Sequence, residues 1–258
     1  MRRAGFAALS LAASLAAPGA GAAELKMLSA GAVELGLVPA LAVFQRDTGH
    51  TVRVDYAAAP ALAARFTGEP GYDLVIAPPA VLDALARAGA IGSARVPVGK
   101  VGIGVAIRAG AIAPDISSVE TLKQELLSAE SVVFNRASTG LYVETLLGKL
   151  GVADAVNAKA TRYGDGASVM KHLLAGNKPR EFGFAAITEI VLFKDQGLKL
   201  VGPLPAAVQN TTSYIAAMPA AAGPDKARAD AATALMRYLE STQARLTFAN
   251  AGIEATTP

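Results

Sequence analysis

The sequence predicts an α/β protein of two lobes, each a mostly parallel β-sheet flanked by helices, with a ligand cleft between the lobes. Strand-like runs alternate with stretches of helical periodicity along the 258 residues, which is typical of βαβ units and of parallel sheets covered on both faces. Two long extended runs, 96–107 and 198–218, interrupt this alternation and predict two crossings between the lobes. A single α/β domain with two long edge strands is the alternative.

Eight strands are predicted from short runs of aliphatic and β-branched residues. Each run is followed by small, polar or turn-forming residues, so the strands end where the helical periodicity begins. The predicted strands cover 25–28, 52–56, 72–77, 101–107, 132–134, 160–163, 182–186 and 198–201.

Helical periodicity fills the segments between most of these strands. In the first helix, over 33–44, Pro39 must either kink the helix or start it. Ser117 begins an S-x-x-E pattern, which predicts a capping box at a helix start. The C-terminal third is predicted to be helical over 225–241 and 242–250.

The two crossings divide the chain into predicted domains. The first lobe is expected to hold 24–99 and 207–258, and the second lobe to hold 100–206. The composition, with 52% hydrophobic and 17% charged residues, is that of a globular protein with a sizeable core.

Residues 1–23 have the pattern of a secretory signal peptide. Arg2 and Arg3 precede a short apolar run and a small-residue segment. We expect cleavage after Ala22 or Ala23 and localisation in the periplasm, with an uncleaved membrane anchor as the alternative. No later segment of the sequence is long and apolar enough to predict a membrane span.

Charge and composition exclude several function classes. The leader holds two of the 24 basic residues and no acidic one, so the mature chain carries a net charge of +1, which gives no support for a nucleic-acid partner. The absence of cysteine excludes thiolate nucleophiles, thiolate zinc sites and iron–sulfur clusters. His50 and His172 are interpreted as surface or capping residues, and no metal or cofactor is expected.

Four strand-to-helix junctions contain the small and hydroxyl residues that suit a ligand site: 29–32, 57–60, 135–140 and 164–168. Ligands of open α/β sheets bind at such junctions, where the N–H groups of helix N-termini favour anions. Arg136 adds a planar donor suited to a carboxylate. The predicted ligand-binding residues are Ser29, Gly31, Ala59, Arg136, Ser138, Thr139, Gly166, Asn210 and Thr212.

Each of these residues also has a structural interpretation. Ser138 or Thr139 would serve equally as the N-cap of its helix, and Arg136 as a solvated surface charge. Asp165 is interpreted as a cap, because a carboxylate is unsuited to an anion site. Residues 209–212 lie where the chain is predicted to return to the first lobe. They would either face the cleft or serve only to end the connecting segment.

Segments 28–33, 44–52, 72–77 and 238–252 resemble the periplasmic molybdate-binding proteins of ABC importers, and the likeness covers nearly the whole mature chain. The resemblance implies the type II periplasmic binding protein fold, capture of a small anion, and delivery of the anion by a monomer to a permease in the inner membrane.

The chain departs from the pattern of that family at its ligand-binding positions. The hydroxyl residues of the family fall at Ala32 and at Ala58 or Ala59, and its tyrosine falls near Ala186. Each lost donor to a charged group is worth roughly 1.5–3 kcal/mol, so these departures count against molybdate, and Arg136, which the family pattern does not require, favours a small polycarboxylate instead. The chain looks like a divergent branch of the family that also contains aconitate isomerase.

Two functions remain open from the sequence. The preferred hypothesis is a solute-binding protein for a molybdate-like oxyanion or, by preference, a small polycarboxylate. The alternative is an aconitate-isomerase-like enzyme that uses the same cleft, where a base would move a proton next to a carboxylate. The four junctions contain Asp165 as their one candidate base, and its interpretation as a cap favours the binding protein.

Overall fold

The computed structural model describes residues 22–221, 223 and 225–256, so most of the predicted signal peptide lies outside the described residues. The strands within this range are β1 (Glu24–Ala30), β2 (Thr51–Ala57), β3 (Leu74–Ala77), β4 (Val96–Arg108), β5 (Ser131–Asn135), β6 (Ala160–Tyr163), β7 (Glu181–Ala186), β8 (Leu198–Pro203) and β9 (Thr211–Ala217). The helices are α1 (Glu34–Thr48), α2 (Ala59–Gly68), α3 (Pro79–Arg87), α4 (Val119–Ser128), α5 (Ser138–Lys149), α6 (Ala153–Asn157), α7 (Gly166–Ala175), α8 (Ile187–Leu192), α9 (Lys226–Leu239) and α10 (Thr242–Asn250).

The strands form one continuous sheet in the order β2-β1-β3-β9-β4-β7-β5-β6, with β8 also paired to β4. Strand β1 is parallel to β2 and β3, and β5 is parallel to β6 and β7. In the first group, β3 pairs antiparallel with β9, and in the second group, β7 pairs antiparallel with β4. Strand β4 also pairs antiparallel with β8 and with β9. We call β1, β2, β3 and β9, with the helices that directly follow them, the first sheet region. The second sheet region is β5, β6, β7 and β8, again with the helices that directly follow them.

Strand β4 connects the two regions. Its first part, up to Gly102, pairs with β9, and its second part, from Ile103, pairs with β7 and β8. The hydrophobic core divides at the same point, because Val101 packs with the first region and Ile103 with the second. The domain boundaries at 99/100 and 206/207 stay a prediction.

Large apolar side chains fill the core on each side of this division. In the first region Phe44 of α1 and Phe248 of α10 pack in one cluster with strand residues such as Leu74. In the second region Phe134 and Phe184, from neighbouring strands, are fully buried. Burying each such side chain stabilises the fold by about 1.5–3 kcal/mol.

Two local predictions need correction. The capping serine of α4 is Ser118 and not Ser117, because Ser118 Oγ accepts from Thr121 N at 3.1 Å and Thr121 Oγ1 accepts from Ser118 N at 3.1 Å. Pro39 lies inside α1 and does not start it. None of the helices described within 22–256 has the length and apolar composition that a bilayer crossing requires.

Candidate ligand-binding cavity

A cavity of about 440 Å³ lies where strand ends of both sheet regions meet helix N-termini. This volume falls in the range of small-molecule sites. The strands β1, β2, β5, β6 and β7 all end at its wall, as the carboxyl ends of parallel strands predict. Its lining includes Gly31, Ala32, Ala58 and Ala59 from the first sheet region and Ser138, Thr139, Gly166, Ser168 and Glu189 from the second.

The junction between β5 and α5 is organised by Asn135, which the sequence analysis did not select. Asn135 Oδ1 accepts hydrogen bonds from Ala137 N and Gly140 N, both at 3.0 Å, so its buried side chain caps the helix start. Ser138 and Thr139 lie inside the helix, and among the described residues neither hydroxyl has a hydrogen-bond partner. Both hydroxyls therefore remain available to a ligand, and the N-cap interpretation of these two residues is wrong.

The junction between β6 and α7 has the cap that the sequence predicts. Asp165 Oδ1 accepts from Ser168 N at 2.7 Å, which satisfies one of the free N–H groups of the first turn. Gly166 follows at the first helical position, and a Cβ there would overlap the Glu189 carboxylate. Any side chain at Gly166 would therefore displace the Glu189 carboxylate from this position.

Glu189, which lines the cavity from α8, is the main residue that the sequence analysis missed. Its Oε2 accepts from Ala186 N at 3.3 Å, and a Cβ built on Gly31 would lie 3.4 Å from its Oε1. The carboxyl group thus lies between Gly31 of the first sheet region and Gly166 of the second. Burial, with a smaller contribution from the negative charges of Asp165 and Glu34, raises the pKa of Glu189 to about 7, although the hydrogen bond from Ala186 N acts in the opposite direction.

Acidic groups outnumber basic ones around the cavity. Glu34, Asp165 and Glu189 line it, whereas Lys171 is the single cationic side chain among the described lining residues. Burial raises the pKa of Glu34. Protonation of one of these carboxyls reduces the repulsion that an anion meets in this cavity.

Two tyrosines, Tyr56 and Tyr214, line the cavity. Burial raises the pKa of Tyr56, and the charge of Glu34 raises it further. Burial also raises the pKa of Tyr214, together with the charge of Glu189. Both phenols therefore stay protonated at neutral pH. The Tyr56 hydroxyl is buried and has no hydrogen-bond partner among the described residues.

The structure brings together five of the nine predicted ligand residues. The cavity lining contains Gly31, Ala59, Ser138, Thr139 and Gly166.

The other four predicted residues lie outside this lining. Ser29 is fully buried and its hydroxyl donates to Ala30 O at 3.1 Å. Arg136 has an exposed side chain. Asn210 and Thr212 lie at the start of β9, next to Gln209, which hydrogen bonds both backbone groups of Ile103 at 3.0 Å and so ties this crossing to β4. Ligand contact by any of the nine stays a prediction.

Comparison with known proteins identifies relatives along nearly the whole chain. The family of bacterial extracellular solute-binding proteins matches residues 25–254. An aconitate isomerase from Pseudomonas sp. is 29% identical over 240 residues, which cover 89% of this chain and 87% of that relative.

Solved structures share the fold. The periplasmic molybdate-binding protein of Azotobacter vinelandii has a TM-score of 0.72 at 17% identity and covers 90% of this chain and 100% of its own. The sulfate-binding protein SubI of Mycobacterium tuberculosis has a TM-score of 0.71 at 15% identity, covering 92% of this chain and 88% of its own. At these identities the likeness shows the fold, and the ligand must be inferred from the cavity.

Proposed function

Because the chain belongs to the family of bacterial extracellular solute-binding proteins, we propose that it captures a small polycarboxylate in the cavity between its two sheet regions. We further propose that the leader directs it to the periplasm, and that it acts there as a monomer and delivers the anion to an ABC-type permease in the inner membrane.

The distribution of donors around the cavity carries this proposal. The hydroxyls of Ser138 and Thr139 and the free N–H groups of the α5 first turn lie on one side. The first sheet region contributes Ala32, Ala58 and Ala59, which offer no side-chain donor. A compact tetrahedral oxyanion needs donors all around it, whereas a carboxylate at one end of a longer molecule needs them on one side.

The size of the cavity supports the same ligand class. At about 440 Å³ it is large for a single tetrahedral oxyanion and accommodates a tricarboxylate of about a dozen heavy atoms. Tyr56 and Tyr214 also line the cavity, at the first sheet region. The name of the Pseudomonas relative, an aconitate isomerase, points to a tricarboxylate.

Calorimetric titration of the mature protein tests the ligand class. We expect tricarballylate, a saturated tricarboxylate, and cis-aconitate to bind more tightly than molybdate, because Ala32, together with Ala58 or Ala59, removes two donors worth roughly 1.5–3 kcal/mol each. A thermal-shift assay provides an independent readout, since ligand at 100 times its dissociation constant adds about 2.7 kcal/mol to the free energy of unfolding. Submicromolar molybdate binding with no carboxylate binding, or binding of a polyamine instead of an anion, would contradict the proposal.

A second candidate function, isomerisation of a bound tricarboxylate, is favoured by Glu189. A carboxyl with a pKa of about 7 inside the cavity is suited to accept a proton from a carbon and to return it elsewhere at neutral pH. Incubation of cis-aconitate with a catalytic amount of protein, followed by NMR, separates the two functions. Our proposal expects stable binding without turnover; accumulation of a double-bond isomer, abolished by Glu189→Gln, would establish the enzyme instead.

A further inference from the structure

We infer that Glu189 is a ligand-binding side chain whose protonated carboxyl donates a hydrogen bond to the captured anion, so that capture takes up one proton wherever this carboxyl is ionised in the free protein. This inference rests on the proposed capture of a carboxylate, to which it adds a specific residue and a coupled proton.

The hydrogen bonds of Glu189 are too few for a stable carboxylate. Oε2 accepts one bond, from Ala186 N, at 3.3 Å. Among the described residues Oε1 accepts none, and no cationic side chain lies within ion-pair distance of either oxygen. A buried carboxylate is retained in its charged form by several donors or by a paired cation, and Glu189 has neither.

The position of Glu189 directs its carboxyl to any occupant of the cavity. The absence of a side chain at Gly31 and Gly166 leaves room for the carboxyl group at the wall shared by the two sheet regions. A Cβ built on Gly31 would lie 3.4 Å from Oε1, and Gly31, Gly166 and Glu189 all line the cavity. A carboxylic acid at this point has a free O–H group that a ligand carboxylate can accept, and such charge-assisted bonds are about twice as strong as neutral ones.

The charges around Glu189 favour its protonated form once an anion is bound. Asp165 precedes α7 and Glu34 belongs to α1, and both raise its pKa. Lys171 of α7 also lines the cavity, together with the phenols of Tyr56 and Tyr214, which are neutral at physiological pH. A ligand carboxylate adds negative charge next to Glu189, and two adjacent carboxylates cannot both be ionised.

The direction of the pH dependence follows from these facts. In the free protein burial raises the pKa of Glu189 to about 7, so the carboxyl is already protonated well below that pH and binding there is independent of pH. Above that pH the free protein must take up a proton to bind the anion. The dissociation constant is then expected to rise about tenfold for each pH unit.

Calorimetry with tricarballylate between about pH 6 and pH 9 tests the inference. Titrations in two buffers of different ionisation enthalpy give the number of protons taken up, which we expect to approach one near pH 8 for the wild-type protein. In Glu189→Gln the amide is a permanent neutral donor of the same shape, so proton uptake is lost and the variant binds more tightly than wild type at about pH 9. Glu120→Gln, on the exposed face of α4, is the matched control and keeps the wild-type pH dependence.

Three results would overturn the inference that Glu189 takes up a proton on capture. The titration of the ligand itself is the same for both proteins, so equal pH dependence in wild type and Glu189→Gln would overturn the inference and leave carboxylate capture standing. Zero proton uptake by wild type near pH 8 would also overturn it, whether or not the variant folds. Binding of no carboxylate at any pH would overturn both the inference and the proposed function.

Discussion

Replacing Ser138 with aspartate should weaken capture of tricarballylate by at least about a hundredfold while leaving the fold intact. Ser138 lines the cavity at the first position of α5. Two like charges about 4 Å apart repel by about 4 kcal/mol at an effective dielectric constant of 20, which corresponds to about a thousandfold in affinity before screening by water in the cavity. A negative charge near a helix N-terminus is favourable for the helix, so the free energy of unfolding should not fall.

The matched control is Ser138→Asn, which has nearly the same shape as the aspartate variant but no charge. We expect its dissociation constant to stay within about tenfold of wild type, since the loss of one neutral hydrogen bond is worth about 1 kcal/mol. Calorimetry of both variants, with urea denaturation of each, separates affinity from stability. Equal affinities for the aspartate and asparagine variants would place the anion away from the N-terminus of α5.

Replacing Gly140 with alanine should destabilise the protein by about 3 kcal/mol or more, because overpacking against rigid backbone is among the costly classes of substitution. A Cβ at Gly140 would overlap the carbonyl oxygen of Asn135, which is backbone and cannot move without shifting the end of β5. The same shift would break the hydrogen bond from Gly140 N to Asn135 Oδ1, and with it the geometry of the junction that lines the cavity.

Gly148→Ala provides the control within the same helix. Gly148 is exposed, and a Cβ there meets nothing within 4 Å. Alanine should therefore stabilise α5 by about 0.5–1 kcal/mol through its higher helix propensity. Urea denaturation of the two variants measures the contrast directly. A Gly140→Ala protein as stable as wild type would show that the β5–α5 junction is not packed as described.

Much of the fold was predictable from the sequence because the strands are short apolar runs that end at turn-forming residues. Strands β5 and β6, for example, were predicted to within two residues at each end. The second extended run was predicted less well, because Pro203 and Pro205 end one strand before Ala206–Val208 forms a 3₁₀ turn, and β9 begins only at Thr211.

For the site, the sequence predicts which backbone segments meet there but not which side chains point into the cavity. The strand-to-helix junctions follow from the sequence, but the direction of each side chain depends on where the strand ends. Asn135 is the last residue of β5 and is buried, and the next side chain, that of Arg136, is exposed to solvent. Successive side chains of a strand alternate in direction, so a shift of one residue exchanges a buried amide for an exposed guanidinium.

Glu189 was missed for a different reason. In sequence it follows the strand that ends at Ala186 by three residues, which is the usual place for a glutamate that caps a helix. The position of its carboxyl group in the cavity wall depends on Gly31 and Gly166. These glycines lie far away in the sequence and leave space for the carboxyl group only after the chain has folded. A carboxylate three residues after the end of β7 is the sequence signal that indicates this position.

Capture of a carboxylate by the N-terminus of α5 and by Glu189 can be observed in a crystal structure of the mature protein with tricarballylate. We expect one ligand in the cavity between the two sheet regions, with a carboxylate within about 3.2 Å of the N–H or hydroxyl groups of Ser138 and Thr139, the distance expected of a hydrogen bond. We also expect a second carboxylate in contact with Glu189. A ligand bound outside this cavity, for instance at the exposed Arg136, with the cavity containing only water, would show that these residues do not capture it.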